Sequence, residues 1–85
     1  MDYEKDSELL KVLGHPVRLR MAEGLMKNEC NVNKIMDVLN IPQSTASQHL
    51  GKLKSAGIVV SRKEGVRTCY RVADPRVRAI IKTLS

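Results

Sequence analysis

The sequence predicts a small, mainly α-helical domain that ends in a two-stranded β-hairpin and one further helix. Apolar residues recur at helical spacing over the first 55 residues, which indicates amphipathic helices. After Gly57 the pattern changes to short runs rich in Val, Thr and Tyr on either side of "KEG", as is typical of a hairpin. The chain has 85 residues, so residues 1–85 are predicted to form a single domain whose small core favours burial by a second copy.

The first two predicted helices are separated by a break at "GHP", residues 14–16. Before the break, leucines at helical spacing predict a helix over residues 3–13. After the break, Pro16 suits the first turn of a second helix. Its apolar stripe fades near residues 27–30, "KNEC".

A short turn joins the third and fourth predicted helices. Asn31 or Asn33 caps the third helix, which stops at the sequence "LNIP". The fourth helix runs from about Pro42 to Ser55, and Gly57 can serve as its C-terminal cap. Two helices joined by so short a turn form a helix-turn-helix.

The rest of the chain predicts a hairpin and a closing helix. Between "IVVSR" and "VRTCYRV", Gly65 can take the positive φ that a hairpin turn often needs. Asp74 is expected to cap the closing helix, with Pro75 at its first position. Four helices, a hairpin wing and a closing helix in this order form a winged helix-turn-helix.

The fourth predicted helix carries an unusual number of short polar side chains. Such residues are middling helix formers and can divert backbone hydrogen bonds, so we expect a role outside the helix. On a helical wheel Ser44, Gln48 and Lys52 lie opposite the apolar side, with Ser47 at the flank. Gln can pair with adenine through two hydrogen bonds in the major groove, and Ser can reach a base edge or a phosphate. This helix is therefore predicted to read double-stranded DNA.

Positive charge is concentrated in the second half of the chain. Residues 1–49 contain six Lys or Arg and seven Asp or Glu, whereas residues 50–85 contain nine and two. Such an excess suits a polyanionic partner, although a solvated surface is the alternative. Around the hairpin turn, Arg62, Lys63 and Arg67 are candidates for contacts with DNA phosphates or a neighbouring minor groove.

The first and last predicted helices each carry an apolar side that a small core has limited room to cover. We assign both to a two-fold dimer interface, in which the same patch meets its copy. The alternative is that both helices fold back onto their own domain. The interface residues predicted in this way are Leu9, Leu10, Leu13, Val77, Ile80, Ile81 and Leu84.

Several functional classes are disfavoured by the sequence. No apolar run approaches the ~20 residues that span a bilayer, and the start "MDYEKDSELL" is acidic, so we expect a cytoplasmic protein. The chain has no Trp or Phe on which single-stranded nucleic acid could stack. No glycine-rich oxyanion element accompanies the Cys and His residues, so an enzyme is not expected. His15 is expected to order the turn before Pro16, and His49 either to contact phosphate or to pack between the two DNA-binding helices.

The segments "LLKVLGHPVRLRMAEGL" and "IPQSTASQHLGKLKSAGIVVSRKEGVRTCYRV" resemble the ArsR/SmtB family of bacterial winged-helix repressors along almost the whole chain. The resemblance implies a homodimer that binds palindromic operator DNA and is released by an inducer. By the same resemblance, the base-reading residues are Gln43, Ser44, Ser47 and Gln48, with Thr45 and His49 nearby.

The metal-binding segments of that family are not matched. Asn31 and Asn33 stand where arsenic and cadmium sensors carry the thiolates of an "ELCVCDL"-like segment, and an amide is a weak ligand for a soft metal. The closing helix has no His to join Asp74 in the zinc site of other members. We therefore expect neither a family-type metal site nor a cofactor.

Cys30 and Cys69 raise an alternative, a redox-responsive regulator of the same fold. The default state is two reduced thiols, although the resemblance implies that the segment at Cys30 pairs with the second wing strand. Alternation argues against a bond, since Tyr70 and Val72 pointing inward would turn Cys69 outward while Cys30 points inward with Val32. The sequence thus predicts one buried and one surface thiol. A winged helix that binds a protein instead of DNA is a further alternative.

Overall fold

The computed structural model describes all 85 residues as five helices and a two-stranded antiparallel sheet. The predicted winged helix-turn-helix is confirmed, with the elements in the predicted order. None of the five helices combines the length and apolar character needed to cross a membrane. The elements are α1 (Tyr3–Leu13), α2 (Pro16–Lys27), α3 (Val32–Leu39), α4 (Gln43–Ser55), β1 (Val59–Glu64), β2 (Arg67–Val72) and α5 (Pro75–Leu84).

Four of the five helices begin at a side chain that accepts a hydrogen bond from a backbone N–H of the first turn. The accepting residues are Asp2 for α1, His15 for α2, Asn31 for α3 and Asp74 for α5. His15 Nδ1 accepts from the N–H of Val17 at 3.1 Å, which confirms that this histidine orders the turn. α4 differs, because Pro42 precedes it and no side chain caps it.

Three turns depend on a Gly or Asn residue with positive φ. Asn40 ends α3 with φ of 54° and leaves a short turn before Gln43. Gly57 follows α4 with φ of 77°, and Gly65 turns the hairpin with φ of 64°. Gly and, less readily, Asn adopt this region at low cost. The local sequence therefore favours the turn between α3 and α4 as well as the hairpin turn.

A single apolar core joins the helices to the base of the sheet. Only 15 of the 85 residues are buried and none of these is charged, so the domain rests on a small core, as the chain length predicted. Met21 and Leu25 of α2, Leu53 of α4 and Val59 of β1 are completely or almost completely buried. α4 is thereby fixed against α2 and against the first strand of the wing.

The terminal helices pack more extensively on their own domain than the dimer assignment supposed. Leu9, Leu13, Val77 and Ile81 all lie in the core cluster of their own chain, as in the alternative in which the helices fold back. Their burial leaves three of the seven predicted interface residues for contact with a second copy. Leu10 is 55% exposed and Leu84 68% exposed, while Ile80 is half-buried.

Arg76 connects the two terminal helices through ion pairs. Its Nη1 lies 2.8 Å from Oδ1 of Asp6 in α1, and its Nη2 lies 3.0 Å from Oδ2 of Asp74. The hydrogen bond from Arg76 is the main reason that the pKa of each carboxyl group is lowered. Both carboxylates reciprocally raise the pKa of Arg76. This contact fixes the start of α5 beside α1.

Candidate nucleic-acid interface

α4 presents its polar side to solvent, in the predicted orientation. Ala46, Leu50 and Leu53 form its buried side. On the opposite side Ser44, Gln48 and Lys52 are exposed, as are Gln43 and Ser47 near the N-terminus. The absence of acidic residues from the first turn of α4 leaves the positive end of the helix dipole uncompensated, which favours an anionic partner.

Thr45 and His49 are set back from this exposed side. Both are half-buried, and the ring of His49 packs against that of His15 with centroids 4.8 Å apart. His49 of α4 therefore packs against the residue that caps the start of α2. Burial lowers the pKa of His49, and the nearby positive charges of His15, Arg18 and Lys52 lower it further.

A groove of about 360 Å³ lies between the N-terminal half of α4, the wing and the segment from Cys30 to Met36. Gln43 and Ser47 line it from α4, and Arg67 and Thr68 line it from β2. We name it the α4–wing groove after these residues. The structure thus brings two of the residues carried over from the family resemblance together with one of the three basic wing residues.

The three basic residues of the wing are all exposed but differ in their partners. Arg62 pairs with Glu64 of the same strand, with Nη2 lying 3.2 Å from Oε1. An exposed pair of this kind contributes about 1 kcal/mol or less. Lys63 and Arg67 form no ion pair within the chain, so their charges are free to meet phosphate.

A second groove lies on the other side of α4, where Gln48 and Lys52 face residues of α1 and α2. Lys11 and Arg18 line this groove of about 620 Å³, together with the acidic Glu8. The Nε of Arg18 donates to the carbonyl oxygen of Val12 at 2.6 Å, which holds the guanidinium group at the groove. Neither Lys11 nor Arg18 is among the residues predicted from the sequence, and both lie in the half of the chain without net positive charge.

Cys30 and Cys69 form a disulfide bond, so the expectation of two reduced thiols and the argument against a bond are both wrong. Cys30 lies in a turn with φ of 67°, where strand alternation does not fix the direction of its side chain. In β2, Cys69 is buried while Tyr70 also packs against the core. Tyr70 and Cys69 point to opposite faces of β2, but both faces are partly covered. Cys69 is therefore buried although Tyr70 packs against the core.

The neighbourhood implied for the two cysteines by the family resemblance is confirmed. The backbone N–H of Cys30 donates to the carbonyl oxygen of Tyr70 at 3.1 Å, so the loop between α2 and α3 lies along β2. The disulfide therefore connects the entrance of the helix-turn-helix to the second strand of the wing.

A helix-turn-helix whose second helix exposes amide and hydroxyl side chains beside a basic hairpin is the arrangement of a winged helix-turn-helix transcriptional regulator. Comparison with known proteins agrees with this class. The family model described as "Bacterial regulatory protein, arsR family" matches residues 15–61. The chain belongs to the ArsR family, which confirms the resemblance seen in its sequence.

Individual relatives match nearly the whole chain. The transcriptional repressor PagR of Bacillus anthracis is 42% identical over 87 residues, which cover 100% of this chain and 86% of PagR. The crystal structure of PagR superposes with a TM-score of 0.88 at 40% identity, covering 100% of this chain and 98% of the other. The HTH-type transcriptional regulator MJ1325 of Methanocaldococcus jannaschii is 48% identical over 81 residues, or 94% of this chain and 91% of that protein.

A solution structure adds information on assembly. The homodimeric winged helix-turn-helix DNA-binding domain of Mb0332 from Mycobacterium bovis superposes with a TM-score of 0.84 at 30% identity, covering 96% of this chain and 76% of the other. That domain is described as part of a possible ArsR-family transcriptional regulator. The fold of this chain is thus one that a relative uses as a homodimer.

Proposed function

We propose that this protein is a homodimeric transcriptional repressor that binds a palindromic double-stranded operator and leaves it when an inducer signal arrives. The observation that carries the proposal is the exposed polar side of α4, with Ser44, Gln48 and Lys52, next to a groove that Gln43 and Ser47 share with Arg67 of the wing. The repressor role is further supported by the similarity to PagR. Because the operator would be chromosomal DNA, we place the protein in the cytoplasm.

In this proposal α4 enters the major groove with its N-terminal half towards the bases. Gln43 and Gln48 are the best candidates for paired hydrogen bonds to adenine, each worth about 1–3 kcal/mol of discrimination. Ser44 and Ser47 are short enough to reach base edges or phosphates without holding the helix away from the DNA. Thr45 and His49, which are half-buried, support the helix from behind. Lys52 extends the positively charged side of α4 towards the backbone.

The wing contributes contacts to phosphate that position the protein and add affinity for any sequence. Lys63 and Arg67 are available without breaking an ion pair. Arg62 has to leave Glu64 to do the same, which costs little because the pair is exposed. These contacts predict a steep loss of affinity with salt, since each neutralised phosphate releases counterions.

The dimer is proposed to form through the surface that α1 and α5 leave uncovered. Leu10, Ile80 and Leu84 are the apolar residues of the predicted interface that still face solvent or are only half-buried. A two-fold axis at this surface would place the two α4 helices in successive major grooves, roughly 34 Å apart. The homodimeric Mb0332 domain supports the formation of a dimer.

Selection from a randomised duplex library, followed by fluorescence anisotropy at two salt concentrations, tests the proposal. We expect a palindromic site with two half-sites about one helical turn apart, bound by two chains. Binding of the selected duplex should weaken strongly between about 50 and 200 mM salt. Failure to bind any duplex at the lower salt concentration would overturn the proposal and favour the alternative of a winged helix that binds a protein instead of DNA.

A further inference from the structure

Three potential metal ligands from separate segments converge where the loop before α3 meets the wing. Cys30 comes from that loop, Glu64 from the end of β1 and Cys69 from the middle of β2. One ligand atom from each, two sulfurs and a carboxylate oxygen, lie within 4.8 Å of one another. Cys30 Sγ and Glu64 Oε1 are 3.9 Å apart. Of the three residues, only Cys30 also lines the α4–wing groove.

The hairpin register explains why Glu64 reaches the sulfurs. Arg62 lies directly opposite Cys69 in the antiparallel pair, so their side chains share one face of the hairpin. Glu64 is two residues beyond Arg62 and therefore points to the same face. Cys30 approaches that face from the neighbouring loop, which is held to β2 by its hydrogen bond to Tyr70.

We propose that Cys30, Glu64 and Cys69 form, when the disulfide is reduced, a binding site for one thiophilic divalent cation of the Zn²⁺ class. Two thiolates and a carboxylate match the preference of Zn²⁺ for sulfur with nitrogen or oxygen ligands in tetrahedral geometry. Mg²⁺ and Ca²⁺ are poor fits because they select oxygen ligands. Glu64 is exposed, so water can complete the fourth position. This site goes beyond the DNA-binding function and does not depend on it.

The chemistry requires reduction before the metal can bind. A dithiol reductant transfers two electrons and two protons to the disulfide, which yields two Cys thiols and one cyclic disulfide of the reductant. The divalent cation then binds both sulfurs as thiolates and releases two protons, while Glu64 binds as the carboxylate. The charge of the three side chains plus metal is −1, the same as that of Glu64 with two neutral thiols.

Glu64 places a carboxylate close to the two sulfurs, and a disulfide bond does not require one there. A divalent cation attracts all three anionic groups at once. Arg62 also pairs with Glu64 through Oε1, and the unchanged charge of the site allows that pair to persist when the metal is bound.

The test uses the full chain, purified without metal and titrated with Co²⁺ in the absence of oxygen. Reduced protein should bind one Co²⁺ per chain and develop tetrahedral d–d bands with thiolate-to-cobalt charge transfer, and Zn²⁺ should displace the Co²⁺. The oxidised protein, which has the same sequence but no thiolates, should bind none. If the reduced and oxidised proteins take up Co²⁺ equally, the site does not exist.

Variants test the three assigned ligands. Cys30→Ser should lose part of the charge-transfer intensity, and Glu64→Gln should keep it but bind Co²⁺ at least about tenfold more weakly, since even outer-shell changes cost that much. Glu29→Gln is the matched control, because it removes an exposed carboxylate beside Cys30 that is not in the cluster. Wild-type affinity in Glu64→Gln would remove Glu64 from the site and refute the proposed ligand set. Comparison of the oxidised and reduced wild type remains decisive if a cysteine variant does not fold.

Discussion

Replacement of Arg67 by Ala is expected to lower the affinity of the proposed complex for DNA without changing its sequence preference. Arg67 is exposed, forms no ion pair and lines the α4–wing groove, so its removal should leave the fold intact. If it neutralises one phosphate in each protomer, the dimer loses two phosphate contacts. Each neutralised phosphate contributes about 0.9 to the slope of log K against log salt concentration, so the slope should become shallower by about 1.8. Selected and unrelated duplexes should lose affinity by similar factors, because phosphate carries no sequence information.

Fluorescence anisotropy over a series of salt concentrations measures this slope for the selected duplex and for a scrambled one. Arg71→Ala is the matched control, since Arg71 is also an exposed arginine of β2 but does not line the groove. It should change the slope less than Arg67→Ala. An unchanged slope in Arg67→Ala, or an equal change in both variants, would refute phosphate contact from the groove.

Three further predictions concern base reading, pH and assembly. Gln43→Ala should relax base preference by about 1–3 kcal/mol at one position of each half-site, seen as reduced discrimination in competition between duplexes that differ at that position; unchanged discrimination would remove Gln43 from the reading residues. The pKa of His49 is lowered from its ordinary value of 6.5 in the folded protein, so the unfolded chain binds more protons as the pH falls. The free energy of unfolding should therefore decrease below about pH 6.5, and urea titrations should show a smaller decrease in His49→Gln than in the wild type. Leu10→Asp combined with Leu84→Asp should shift the dimer towards monomer in sedimentation experiments, because the pair places charge on the proposed interface; an unchanged dimer would place the interface elsewhere.

Local signals allowed the order and bounds of the elements to be predicted. Pro16 and Asp74 mark helix starts and Gly65 marks the hairpin turn, because each acts on the backbone within a few residues. The exposed side of α4 was predictable for a similar reason. The helical period of 3.6 residues places Gln48 and Leu50 on different sides of the helix, whatever the rest of the chain does.

Periodicity identifies an apolar side but does not identify what covers it. Leu9 and Leu10 are neighbours in one leucine-rich stretch, yet Leu9 is 7% exposed and Leu10 55% exposed. The difference arises because α1 packs against α2 and α4 at a specific rotation about its own axis. The sequence therefore predicted that α1 has an apolar side but not which of its leucines the core of the same chain would cover.

The winged helix-turn-helix, the polar character of α4 and the basic charge of the wing could all be predicted from residues that are close together in the chain. The neighbours of Cys30 could not be predicted in this way, because its positive φ removes the alternation by which strand residues can be placed. Glu64 and Cys69 lie 34 and 39 residues further along the chain, and their approach to Cys30 depends on how the hairpin packs against the loop before α3. Contacts of this kind depend on the packing of whole elements, whereas helix starts and turns depend on the nearest few residues.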